Sequence, residues 1–159
     1  LLGPAVVALA VPLHRERETI RRHAPTIAVG AATGAACAIA VGAAAAAVMH
    51  LAPAWSLALA SLSATAPISI ALAGELHGVA ALSAVLSILA GVAGAALGPR
   101  WLDLVRVHHP LARGLAHGVA SHGIGTARML DETRLAGATA AVGMALGGVL
   151  VAVVLPIVF

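Results

Sequence analysis

Two short runs hold the polar groups of this sequence that could bind a ligand. The first is Ser63-Ala64-Thr65-Ala66-Pro67, flanked by Ser61 and Ser69; the second is Ser121-His122-Gly123-Ile124-Gly125-Thr126-Ala127-Arg128. Pro67 has no N–H, so the carbonyl of Ser63, four residues back, loses its helical partner. Proline is comfortable in the first turn of a helix, so a new half-helix can begin there. In the second run, Gly123 and Gly125 among Ser121, His122, Thr126 and Arg128 make a poor helix. The chemistry these groups suit is the capture of a small anion. Half-helix N-termini attract negative charge, the hydroxyls donate hydrogen bonds, and the planar fork of Arg128 matches a carboxylate. His122 can hydrogen-bond or carry a proton near neutral pH. Plainer readings stay open beside these. Each break can be a simple kink, Arg128 an interfacial side chain near Asp131 and Glu132, and His122 a structural residue on a neighbouring carbonyl. No HExxH, GxSxG, CxxC or phosphate-binding glycine loop occurs, so proteolysis, hydrolysis and nucleotide-driven pumping have no support. His117 and His122 are five apart, wrong for one helical face, and neither a metal site nor a cofactor is expected.

The elements that must position these runs follow from composition. Of the 159 residues, 61% are hydrophobic and 9% charged, against about 25% charged in ordinary soluble domains. Too few charges remain to build a water-facing surface, which excludes a soluble enzyme, a disordered tail and a free nucleic-acid-binding domain. Residues 23–74, 76–99, 114–127 and 135–159 contain no Asp, Glu, Lys or Arg. A spanning helix needs about 20 mostly apolar residues. The sequence therefore predicts helices near residues 25–50, 55–74, 77–98, 111–130 and 135–157, with residues 1–13 as the end of a further one. The expected fold is all-α: a single-domain polytopic transmembrane bundle over residues 1–159, embedded in a bilayer, with two interrupted helices, broken or re-entrant. Leu1 is not Met and the first residues read as mid-helix, so further helices are expected to precede them. The lone cysteine, Cys37, lies in an apolar run and has no intrachain partner. Glycine pairs four apart, at Gly30/Gly34, Gly74/Gly78, Gly94/Gly98, Gly114/Gly118 and Gly143/Gly147, suit close helix approach in lipid. Trp55 and Trp101 sit at segment ends, where indoles favour the membrane interface.

All nine basic residues are Arg, and all fall in three stretches expected to be loops, residues 14–23, 100–113 and 128–134. Residues 101–106 read as a short amphipathic interfacial helix, and Glu75 and His77 as an exposed turn. The positive-inside tendency would place all three basic stretches on one side. Three crossings between the first and second would place them on opposite sides. Two re-entrant hairpins resolve the conflict. A broken but fully crossing helix accepts one violation and explains half-helices meeting at the midplane; it is the arrangement the sequence reading favours.

Leu2-Gly3-Pro4-Ala5-Val6-Val7-Ala8-Leu9-Ala10-Val11-Pro12-Leu13 resembles the LGPATVALAVPL signature of the LrgB/CidB/YohK membrane proteins. Residues 62–70 resemble that family's SVTTPIAM segment, and residues 112–116 and 120–128 its ARGLA and ASHAIGTAR signatures. Ala66 departs from the family's second Thr, His77 from a common Gly, and His109 from an acidic residue before Pro110. The resemblance implies a multi-pass protein of the inner or plasma membrane, oligomeric and acting with a small LrgA/CidA-type partner. It carries two functional descriptions: antiholin-like control of murein hydrolase export and autolysis, and transport of small organic acids, as in the plant plastidal glycolate/glycerate translocator. The two interrupted segments favour the transport description, for which the resemblance implies a small monocarboxylate of the glycolate, glycerate or pyruvate class. The expected substrate-binding residues are Ser63, Thr65, Pro67, Ser121, His122, Gly123, Gly125, Thr126 and Arg128.

Overall fold

In a computed structural model, the structure describes residues 9–159. Most of the Leu2–Leu13 signature, and most of the helix end expected there, lies outside the described residues. The described chain contains α1 (Ala10–Arg15), α2 (Arg17–Arg22), α3 (Ala24–Val48), α4 (Pro53–Ala60), α5 (Ala66–Glu75), α6 (Ala80–Leu104), α7 (Pro110–Glu132) and α8 (Arg134–Val158), with no strand among the described residues. Pro25, Pro53, Pro67 and Pro110 stand in first turns, where their missing N–H costs nothing. His109 Nδ1 and Thr133 Oγ1 accept from the free N–H groups that open α7 and α8. His50, His77 and Arg106 take positive φ after α3, α5 and α6, and the next residue in each case closes a long backbone bond into the finished helix, as a C-terminal cap does.

Two expectations change. The stretch 14–23 is helical rather than a loop, divided at Glu16. Residues 101–104 are not the start of a separate interfacial helix but the last turn of α6, which continues through Pro99.

α3, α6 and α8 are each 25 residues and apolar enough to cross a membrane. Each rises about 37 Å, more than the roughly 30 Å hydrocarbon core. Their outward faces carry the large side chains, including Val29, Val41, Val85, Leu89, Val149 and Val153. Their inward faces carry small and polar ones, including Ala31, Ala35, Ser83, Ser87, Ala138 and Thr139. Soluble proteins show the opposite arrangement. Trp55 and Trp101 are both exposed, so neither is held by the core.

The remaining segments double back. Arg113 and Glu132 pair through Nε to Oε2 at 2.8 Å and Nη2 to Oε1 at 2.9 Å. Along one straight helix they would stand about 28 Å apart. Gly125 lies against the carbonyl of His117, where a straight helix would leave about 12 Å between them. α7 is therefore two antiparallel halves, residues 110–121 and 123–132, joined at His122, whose φ 40° and ψ −128° are non-helical. α4 and α5 form another hairpin, the first along the chain. Ser69 Oγ donates to Ser61 O at 3.0 Å, and Gly78 lies against Leu57, 21 positions away. This overturns the crossing arrangement favoured above: both segments return to the end from which they start.

The contacts also fix direction. Gly30 and Gly34 of α3 meet Leu115 and Val119, whereas Gly42 meets Leu59 and Ala60. On α6, Ser87 meets the tip of the first hairpin, Gly91 and Gly98 meet His122 and His117, and Asp103 reaches Arg113. The two hairpins enter from opposite ends of the bundle, and their tips meet halfway along the three long helices.

Candidate functional site

The tips are joined by one hydrogen bond. His122 Nε2 donates to Leu62 O at 3.1 Å, across 60 residues. The ring is buried and its other side lies on Gly91, where an added Cβ would stand 3.0 Å from Cε1. A backbone with positive φ at a non-glycine residue costs about 1–3 kcal/mol, so surrounding contacts must hold His122 there. Thr126 Oγ1 donates to His122 O at 2.7 Å, and Ser121 is buried against Gly94. Gly91, Gly94 and Gly98 of α6 thus receive His122, Ser121 and His117, and any side chain at Gly94 would collide with Ser121.

The first tip is the stretch between α4 and α5. Its backbone oxygens are met from outside the ordinary helix ladder: Leu62 O by His122, Ser61 O by Ser69, and Ala64 O by Ser87 at 3.0 Å. Ser63 Oγ is buried with no partner among the described residues. Thr65 is the N-cap of α5 with Pro67 in its first turn. At this junction begin two half-helices, α5 and the second half of α7, so two N-terminal dipole ends converge.

Arg128 does not join them. It lies six residues beyond His122, about 9 Å along the half-helix, and its side chain is 41% exposed. It lines a groove of about 500 Å³ with Val92, Ala95, Ala96, Pro99, Arg100 and Ile124. Glu132 Oε1 is 4.0 Å away. Of the expected residues, Ser63, Thr65, Ser121, His122 and Thr126 gather at the tips. Gly125 supports them against His117 O, while Pro67 and Gly123 face outward.

Sequence reasoning missed the base of the second hairpin. Arg113 is 8% exposed and also donates to Asp103 Oδ1 at 2.6 Å and Val107 O at 3.0 Å. Its hydrogen bonds hold the Glu132 carboxyl below the usual carboxylate range, and the Arg113 pKa is raised in turn. It also missed Ser83 and Ser87, although their spacing with Gly91, one turn apart each time, was a readable polar stripe on an apolar helix.

Apolar surfaces outside, small and polar ones inside, and two hairpins that double back among three membrane-length helices are the marks of an α-helical membrane protein. The chain belongs to the LrgB-like family, whose model matches residues 1–159. It is 35% identical over 150 residues to the uncharacterized protein YxaC of Bacillus subtilis (strain 168), covering 94% of this chain and 65% of that one. It is 29% identical over 150 residues to the uncharacterized protein YwbG of the same organism, covering 94% of this chain and 67% of that one. The chain thus spans about two thirds of the length of these relatives. No solved structure matches it.

Proposed function

We propose that this chain carries the substrate site of a transporter for small monocarboxylates of the glycolate, glycerate and pyruvate class, working with an LrgA-type partner in the inner or plasma membrane. The observation that carries the reading is the meeting of the two hairpin tips, where two half-helix N-termini converge beside the buried Ser63 Oγ, which has no partner among the described residues. Irregular backbone at membrane depth survives where protein buries it or a cavity needs it. Half-helix N-termini brought together near the midplane are how many secondary transporters hold anionic substrate groups. In this reading Ser63, Thr65 and the first N–H groups of α5 receive the carboxylate. His122 acts as a positioning residue, since its Nε2 is spent on Leu62 O and its ring is covered by Gly91. Arg128 stands at the groove and draws anions toward the tips rather than binding them there. The basic stretches 14–23, 100–113 and 128–134 then share one face, in keeping with the positive-inside tendency.

An antiholin-like accessory role would rest on helix faces free to associate. Gly114 and Gly118 are not free: they lie against the Ala136 and Ala140 carbonyls of α8 in the same chain. The test is uptake of labelled glycolate and pyruvate by liposomes holding the full-length protein and its partner. A hydrogen bond to a charged group is worth about 1.5–3 kcal/mol, so Ser63→Ala should weaken uptake roughly tenfold or more. No uptake above protein-free liposomes, or uptake indifferent to Ser63→Ala, contradicts the reading.

A further inference from the structure

The first hairpin tip holds more oxygen than protons. Ser69 Oγ lies 3.0 Å from Ser61 O and 2.8 Å from Ser87 Oγ, and Ser87 Oγ lies 3.0 Å from Ala64 O. Two hydroxyls supply two protons to these three contacts. If both protons serve the carbonyls, the hydroxyl oxygens face each other lone pair to lone pair. Ser61 O already accepts from Ala64 N at 2.9 Å, so it needs Ser69 least. Ser63 Oγ and Ser83 Oγ, the first beside Ala64 and the second one turn before Ser87, are buried without partners among the described residues. The carbonyl of Ser63 loses its helical donor to Pro67. The C-terminal end of α4, its negative pole, finishes at Ala60 beside these groups.

Every group in this cluster is a neutral oxygen. There is no nitrogen or sulfur ligand to favour a transition metal, and no carboxylate to offset a divalent charge. Carbonyls released by an interrupted helix, serine hydroxyls and a helix C-terminus are instead the donor set of a dehydrated monovalent cation. We propose that a sodium-sized alkali cation binds between the first hairpin tip and α6, on the carbonyl oxygens of Ser61 and Ala64 and the hydroxyls of Ser69 and Ser87. A cation there accepts the lone pairs that the hydroxyl protons cannot reach. It also ties the hairpin to α6, so occupancy sets how firmly the first tip is held beneath the second. The consequence for transport rests on the carboxylate reading above: the cation sits at the C-terminal end of α4 and the anion at the N-terminal end of α5, so each lowers the cost of the other. Binding itself does not depend on that reading.

The experiment is thermal unfolding of the purified full-length protein in NaCl, LiCl, KCl and choline chloride at equal ionic strength, without any organic acid, alongside equilibrium binding of radioactive sodium. Sodium should raise the midpoint by several degrees over choline, as a ligand of the native state does, and radioactive sodium should bind and be displaced by unlabelled sodium. Ser87→Ala and Ser69→Ala should abolish the sodium-dependent rise. Thr33→Ala, which removes an exposed hydroxyl on α3 bonded to Val29 O, should keep it. Equal midpoints in sodium and choline, no bound sodium above background, or a full sodium response in Ser87→Ala overturns the site. Should the Ser87 variant fail to fold, sodium binding to the unaltered protein still decides. Sodium stabilisation without carboxylate uptake supports the cation site while refuting the substrate reading; uptake without any sodium effect does the reverse.

Discussion

Replacing Arg113 by Ala tests the hairpin at its base. The guanidinium is 10% exposed, the Glu132 carboxylate 20% and the Asp103 carboxylate 59%. The bidentate pair with Glu132 therefore dominates, and Asp103 adds at most about 1 kcal/mol through water. Removing one partner of a buried pair leaves the other charged and uncompensated, a loss of about 3–5 kcal/mol. That shifts the opening equilibrium by roughly 150- to 5,000-fold. Denaturant titration of the full-length protein in detergent should show it, and Arg113→Lys should fall between, because it keeps the charge and loses the fork. Arg113→Met with Glu132→Leu should lose less than Arg113→Ala alone, since apolar replacement of a whole buried pair is often neutral. The cycle of Arg113→Ala and Glu132→Ala should show coupling well above 0.5 kcal/mol, the threshold for contacting residues. Additive effects would mean that the two side chains do not touch, and residues 19 apart in a straight α7 could not.

Other consequences are as specific. Gly114→Ala and Gly118→Ala place a Cβ on the Ala136 and Ala140 carbonyls and should each destabilise by about 1–3 kcal/mol; Gly74→Ala meets nothing within 4 Å and should be neutral or gain up to about 1 kcal/mol, which unfolding midpoints will compare. His122→Ala frees Leu62 O and should lower uptake at every substrate concentration. Arg128→Ala should instead weaken uptake chiefly at low substrate and low salt, since screening removes long-range attraction. For Glu132, whose folded pKa lies below the ordinary 4.5, the pair's stabilisation is complete above that ordinary value and is lost as pH falls through the lowered one. Unfolding midpoints should thus hold level above about pH 5 and decline below it, and Glu132→Gln should reduce that decline.

The interruptions were legible because their causes are local. Pro67 removes a donor within its own turn, and Gly123 and Gly125 weaken helix propensity beside His122. The return of each segment was not local. It depends on Arg113 meeting Glu132 and on Leu57 meeting Gly78, pairs about 20 positions apart with no periodic signature. One signal for it was present: three arginine-bearing stretches satisfy a single-face arrangement only if both segments double back, and that charge pattern outweighs the preference for crossing half-helices. Arg113 was hidden inside a signature and read as part of a loop, because an isolated arginine in an apolar sequence looks interfacial until its acid is known. Arg128 shows the converse: it is near the break in sequence, yet six residues of half-helix carry it to the groove. Ser83 and Ser87 form a polar stripe with Gly91 that their spacing shows, but nothing in their own segment shows that the first hairpin lends Ser87 a carbonyl.

Cysteine accessibility in intact cells tests the central claim most directly, with single cysteines introduced into a Cys37→Ala background of the full-length protein. Two hairpins entering from opposite faces require Thr19→Cys and His108→Cys to be labelled from one side by an impermeant reagent, and His50→Cys and His77→Cys from the other. Labelling of His50→Cys and His77→Cys from opposite sides, or of Thr19→Cys and His108→Cys from opposite sides, would make the first hairpin a crossing helix and contradict the account.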